Sequence, residues 1–133
     1  MTDQELVARA AAMRSRAVAP YSHYQVGAAL LGSNGKVYGG CNIETAAYSV
    51  TLCAERAAVA CAVADGCTSF VRLAVIASGQ GLCTPCGMCR QMLYEFAPEM
   101  TVLCCYADEQ FEAVPIAELL PYGFRSDRLP DTE

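Results

Sequence analysis

Three cysteines and a glutamate at fixed spacing constrain this chain more than any other feature. They are Cys53-Ala54-Glu55 and Pro85-Cys86-Gly87-Met88-Cys89. Three thiolates are one short of the four that close a structural zinc site, which leaves a fourth position for water. Residues at i and i+2 do not face each other along a regular helix, so Cys53 and Glu55 can reach one metal only where a helix begins. Cys53 is therefore expected to open a helix, and the alanine-rich run after it stops at Asp65-Gly66. In the second motif the sequence predicts Thr84 as the cap and Pro85 as the first helical residue, with Cys86 and Cys89 at i, i+3 on one face. Two helix N-termini would then point at the metal, and their partial positive charge favours thiolate over thiol.

The residue types match a hydrolytic metal site. Zinc has no redox chemistry and acts as a Lewis acid that brings water to the edge of ionisation near neutral pH. Glu55 supplies a carboxylate for every proton transfer. Three thiolates leave one zinc ion with a formal negative charge, and Arg56, adjacent to Glu55, is the candidate to offset it by donating to the ligand sulfurs. Its plainer reading is a surface arginine. Cys83 opens a second possibility, a closed four-cysteine structural site with Cys53, Cys86 and Cys89. That arrangement would leave Glu55 and the Asn42-Ile43-Glu44 segment without a role. A redox C-x-x-C pair fits poorly with two overlapping pairs and a third, distant cysteine.

Residues 1–133 are expected to form a single domain. Hydrophobic residues make up 54% and charged residues 17%, a balance that leaves apolar surface for oligomerisation to cover. A net charge of −5 without a lysine or arginine cluster argues against nucleic acid as a partner. The longest all-apolar run, residues 57–64, is too short to span a bilayer, so no membrane partner is expected. Nine cysteines with no signal-peptide pattern are read as reduced, which points to a cytoplasmic location. Cys41, Cys61, Cys67, Cys104 and Cys105 are read as small packing residues, and His23 as a polar loop residue.

Along the chain, Thr2-Asp3-Gln4-Glu5 is a capping box that starts a helix ended by Pro20. Residues 25–31 and 36–41 are predicted strands joined by a hairpin at Ser33-Asn34-Gly35. The Cys53 helix follows, then a strand at 71–77, the Cys86 helix, a strand at 101–106 and a short helix at 116–120. Such an order implies a mixed sheet with helices on both faces. Residues 125–133 read as a polar tail whose last few residues are loose.

Taken together, Pro20-Tyr21-Ser22-His23-Tyr24-Gln25-Val26-Gly27-Ala28-Ala29, Gly40-Cys41-Asn42-Ile43-Glu44, the two metal motifs with Arg90-Gln91, and Glu118-Leu119-Leu120-Pro121 strongly resemble cytidine deaminase, in its short, homotetrameric, three-cysteine class. The resemblance runs from about residue 5 to 129. It implies a three-layer α/β/α fold with a mixed central sheet of about five strands. It also implies zinc-dependent hydrolysis of cytidine and deoxycytidine in pyrimidine salvage, with one Zn2+ per subunit held by Cys53, Cys86 and Cys89, and with Glu55 catalytic. On the same basis Asn42 and Glu44 would hold the ribose, Tyr24 would pack beside the pyrimidine, and backbone near Ala54 and Pro85 would recognise the base edge. Phe124 would reach a neighbouring subunit's site in a homotetramer with shared active sites. Tyr24 stands where phenylalanine is usual, Thr45 where asparagine is common and Met88 where alanine is common. An aminonucleoside deaminase of the blasticidin type shares the metal motifs, but the intact Asn42-Ile43-Glu44 favours an ordinary ribose. A deaminase acting on bases within tRNA or DNA would want a basic surface and a histidine as first ligand.

Overall fold

Thr2 and Glu5 cap the first helix, α1 (Asp3–Arg14), reciprocally, as the sequence predicts: the Thr2 hydroxyl accepts from Glu5 N and the Glu5 carboxylate from Thr2 N. The helix ends at Arg14, six residues short of Pro20. Tertiary pairing stops it first, because Val18 forms a bridge with Ile43 and donates its N–H to Asn42 O at 3.0 Å. The computed structural model describes residues 1–130, and the loose chain end expected for the last few residues lies outside that range.

Two strands follow, β1 (Val26–Gly32) and β2 (Val37–Cys41), paired antiparallel. Their turn carries Gly35 at φ 85°, a left-handed conformation that costs glycine nothing. Helix α2 (Ala54–Ala64) ends at Asp65, with Gly66 at φ 85° behind it, and leads to β3 (Phe70–Ala77). Helix α3 (Gly87–Phe96) then crosses to β4 (Thr101–Cys105), which runs parallel to β3.

A further strand, β5 (Phe111–Pro115), and a one-turn helix, α4 (Ile116–Leu119), complete the order. No motif in the sequence predicts β5, which pairs antiparallel with β4 at the sheet edge. Only Phe111 and Val114 of its residues are even partly covered, so it lacks the apolar signal of the buried strands, and Pro115 closes it. The sheet order is β2-β1-β3-β4-β5.

Alternation along the strands divides the core into two layers. Leu6, Val7 and Ala10 of α1 pack on Ala29, Ala74, Ile76 and Leu103. On the opposite face Ala54, Ala58, Val59 and Ala62 of α2, with Leu93 of α3, cover Ala28, Leu30, Leu73, Val75 and Val102. Helices on both faces of a mixed five-stranded sheet make the three-layer α/β/α architecture. Each fully buried Leu or Val contributes about 1.5–3 kcal/mol, which fixes where the ends of α2 and α3 emerge.

Not every cysteine is packing material. Cys67, Cys104 and Cys105 are buried, whereas Cys61 is exposed on α2. All nine cysteines are free thiols.

Candidate active site

Gly40 brings β2 and α2 into backbone contact. A Cβ there would overlap Ala54 O and lie 2.6 Å from Ala58 N, so only glycine lets the helix sit directly on the strand. Ile43 and Leu52 exchange both backbone hydrogen bonds, at 2.9 and 3.0 Å, which fixes the chain just before Cys53. Cys53 is the N-cap of α2, with extended backbone and no side-chain capping bond, leaving its sulfur available.

Cys86 has the same role in α3, with φ −67° and ψ 167°. The residue pattern predicts this helix start two residues earlier, at Thr84-Pro85. Those residues remain outside the helix because Arg90 holds them: Nε donates to Pro85 O at 2.7 Å and Nη2 to Thr84 Oγ1 at 3.1 Å. The expectation that matters survives the shift, since both helix N-termini converge on the sulfurs.

The Cys53 and Cys86 sulfurs lie 3.7 Å apart and those of Cys86 and Cys89 3.4 Å, all three within 4.8 Å of one another. Zn–S bonds of about 2.3 Å in a tetrahedron place sulfurs about 3.8 Å apart, so the donor set fits zinc. Cys53 and Cys86 line a cleft of about 210 Å³. Cys83 does not join the group. Its buried thiol instead lines the same cleft, where burial first and the Glu55 charge second push it up to about 12.

The neighbouring Cys89 thiol first, then Arg56 and Cys86, draws the Cys53 thiol down to about 5 against the opposing effect of burial. Cys89 moves upward through the same contact. Arg56 faces the sulfurs, its Nη2 lying 3.5 Å from Cys53 Sγ and 3.4 Å from Thr51 O. Its Nε is buried with no hydrogen-bond partner. Glu55 is 4% exposed, and burial pushes its carboxyl up to about 7, with the neighbouring Cys53 charge adding to the effect.

Tyr24, Asn42, Ala54 and Glu55 line the cleft with the cysteines. Asn42 is already engaged by backbone, Oδ1 accepting from Val26 N at 2.8 Å and Nδ2 donating to Tyr24 O at 2.9 Å. One N–H and one lone pair of its amide remain for a ligand. Glu44 lines an adjoining depression that shares Thr51 with the cleft. Its carboxylate accepts from the Ser22 hydroxyl and from the Ser22 and Tyr21 N–H groups, which hold it below its ordinary value, the Ser22 hydroxyl first. The Tyr24 ring packs against Gly79, and burial followed by the proximity of Cys83 raises its hydroxyl.

Pro85 is fully buried. Phe124 does not line the cleft and is 49% exposed beside Tyr94 and Arg125. Thr45 anchors its own loop, donating from Oγ1 to Ala47 O at 2.6 Å. Met88 is exposed at the start of α3. The hydrogen bonds by which Arg90 holds Thr84 and Pro85, and the placement of Cys83 in the cleft, are the features that local sequence reasoning does not reach. Their only signal was proximity to the second cysteine motif.

Comparison with known proteins agrees with this geometry. Residues 1–105 match the family described as the cytidine and deoxycytidylate deaminase zinc-binding region. The chain is 45% identical over 130 residues to a cytidine deaminase of Sporosarcina psychrophila, covering 97% of this chain and 96% of that protein. It is 39% identical over 132 residues to a cytidine deaminase of Halalkalibacterium halodurans, covering 98% and 100%. The crystal structure of cytidine deaminase from Burkholderia pseudomallei superimposes with a TM-score of 0.89 at 39% identity, covering 93% of this chain and all of that one. That of Mycobacterium tuberculosis gives 0.81 at 32% identity, covering 93% and 98%. Sulfur geometry, fold and sequence thus converge, and the chain belongs to the cytidine and deoxycytidylate deaminase zinc-binding family.

Proposed function

We propose that the protein hydrolyses cytidine and deoxycytidine to uridine and deoxyuridine, consuming one water and releasing ammonia. The observation that carries this reading is the three-sulfur group at two helix N-termini, with a buried carboxylate two residues from the first sulfur. Cys53, Cys86 and Cys89 would hold one zinc ion per subunit. When bound, the ion supplies Lewis-acid activation of water.

Glu55 takes one proton from the attacking water and delivers it to N3 of the pyrimidine, then takes the second from the hydroxyl newly formed at C4 and delivers it to the exocyclic amine, so that the C4–N bond breaks and ammonia leaves. Arg56 offsets the negative charge of the three thiolates through its contact with Cys53. The first N–H groups of α2, at Ala54, have no intrahelical partner and are free to meet the base. The Pro85 carbonyl accepts from Arg90 yet keeps a second lone pair for the exocyclic amine. Asn42 and Glu44 take the ribose hydroxyls, and Tyr24 packs beside the pyrimidine.

Exposed Tyr48, Val50, Met88, Tyr122 and Phe124 support a homotetramer in which Phe124 completes a neighbour's site. No helix among the described residues is long and apolar enough to cross a membrane. We place the reaction in pyrimidine salvage in the cytoplasm, a compartment that suits nine free thiols.

The test is loss of cytidine absorbance and release of ammonia, across cytidine, deoxycytidine, blasticidin and a cytosine-containing oligonucleotide, with zinc stoichiometry measured on the same preparation. Turnover of both nucleosides at one zinc per subunit is expected. Protein fully loaded with zinc that turns over neither nucleoside would overturn the assignment.

A further inference from the structure

Gln91 makes a pair of hydrogen bonds that deamination chemistry does not call for. Its Nε2 donates to Phe124 O at 2.9 Å, and its Oε1 accepts from Phe124 N at 3.2 Å. These two backbone groups flank the Phe124 Cα, so holding both sets the backbone at that residue and with it the direction of the Cα–Cβ bond. One side chain on α3 therefore aims an aromatic ring 33 residues further along the chain.

The surroundings reinforce this anchor. Arg90, the preceding residue, donates from Nη1 to Leu119 O at 2.8 Å, and Arg128 Nη1 donates to Gly123 O at 3.0 Å. Gly123 lies against Tyr94, whose ring a Cβ would approach to 2.9 Å. The Arg125 guanidinium sits 5.9 Å above the same ring. The segment is tied to α3 from several sides, yet the Phe124 ring remains half exposed. Packing the core does not explain an anchor whose load points outward. The anchor also rises from the helix that carries Cys89, two residues before Gln91.

We infer that Gln91 is a positioning residue for substrate binding, holding Phe124 so that its ring is already oriented to close against the pyrimidine. This rests on the reading above that Phe124 contacts substrate. A preset ring lowers the ordering cost of binding and leaves the chemical step alone, so the effect belongs in KM and not in kcat.

Steady-state kinetics on Gln91→Leu, Phe124→Ala and the double variant, with zinc content and thermal midpoint recorded, test the inference and separate it from its premise. Gln91→Leu should raise KM about 3- to 10-fold, the scale set by losing one or two modest hydrogen bonds, with kcat within about twofold and zinc retained. Phe124→Ala should raise KM comparably, and the double variant no further than Phe124→Ala. A KM increase in Phe124→Ala but not in Gln91→Leu overturns the inference and leaves the premise standing. An unchanged KM in Phe124→Ala removes the premise and the inference with it. Full additivity in the double variant, or zinc loss from Gln91→Leu, shows Gln91 acting through α3 alone and refutes the proposal. If Gln91→Leu does not fold, Gln91→Glu keeps the acceptor for Phe124 N while opposing the carbonyl. Its KM should then lie between wild type and Phe124→Ala, and a wild-type KM overturns the inference.

Discussion

Replacing Gly40 with alanine should damage the metal site from behind, although residue 40 contributes no side chain to it. The new Cβ would overlap Ala54 O and lie 2.6 Å from Ala58 N and 3.1 Å from Ala57 Cβ. The first two are backbone atoms, so no side-chain rotation relieves the clash and α2 has to withdraw by about 1 Å to restore ordinary contact. Overpacking of this kind costs about 1–3 kcal/mol. At roughly 3–5 °C per kcal/mol for a chain of this length, the thermal midpoint should fall by about 3–15 °C. Cys53 and Glu55 ride on the first turn of the displaced helix, and a misplacement of about 1 Å can cost about 10²-fold in turnover. Thermal midpoint, zinc per subunit and kcat on one preparation read all three effects. Gly35→Ala is the control: at φ 85° with open space around its Cβ, it should lose about 1 kcal/mol to backbone strain while keeping zinc and kcat. Wild-type zinc content and turnover in Gly40→Ala would refute the argument that the β2–α2 contact places the site.

Glu55→Gln should keep zinc and substrate binding while turnover falls at least about 10²- to 10⁴-fold, and near-normal kcat in steady-state assays would sink the proton-carrier role. Cys53→Ala, Cys86→Ala and Cys89→Ala should each lose zinc and activity together, whereas Cys83→Ala keeps both; metal release from the Cys83 variant, read by elemental analysis, would favour a four-cysteine site. Co-expressed Phe124→Ala and Glu55→Gln subunits should recover low-substrate activity per Phe124→Ala subunit if the ring acts in trans, and mixed assemblies seen by native mass spectrometry without recovery would count against shared sites. Asp65 accepts from the Tyr38 hydroxyl at 2.6 Å and from Lys36 at 3.1 Å, and these partners, Tyr38 first, hold its carboxyl below the ordinary value. A depressed folded-state pKa means its stabilisation is present at neutral pH and is lost as pH falls through that pKa, so thermal midpoints of Asp65→Asn and wild type should differ at pH 7 and converge in acid. Parallel curves would rule this out.

The candidate site and much of its local scaffolding were legible in the spacing of a few residues. Three soft ligands and a carboxylate at those spacings admit few arrangements, and an i, i+2 pair must sit at a helix start. The Thr2–Glu5 capping box, the Gly35 turn and the Gly66 stop were legible because each expresses contacts among residues a few positions apart. That α1 stops at Arg14 came from long-range pairing, since a bridge between Val18 and Ile43 ends it before Pro20 does. Tertiary contacts also moved the start of α3 to Gly87, because Arg90 holds Thr84 and Pro85 outside the helix. The edge strand β5 drew its identity from pairing with β4 and not from its own half-exposed pattern. Cys83 entered the cleft without joining the sulfur group, and Gln91 found Phe124 across 33 residues. Local patterning records short-range hydrogen bonds and the burial period of an element, whereas partners brought together by folding leave no trace in the spacing of either residue alone.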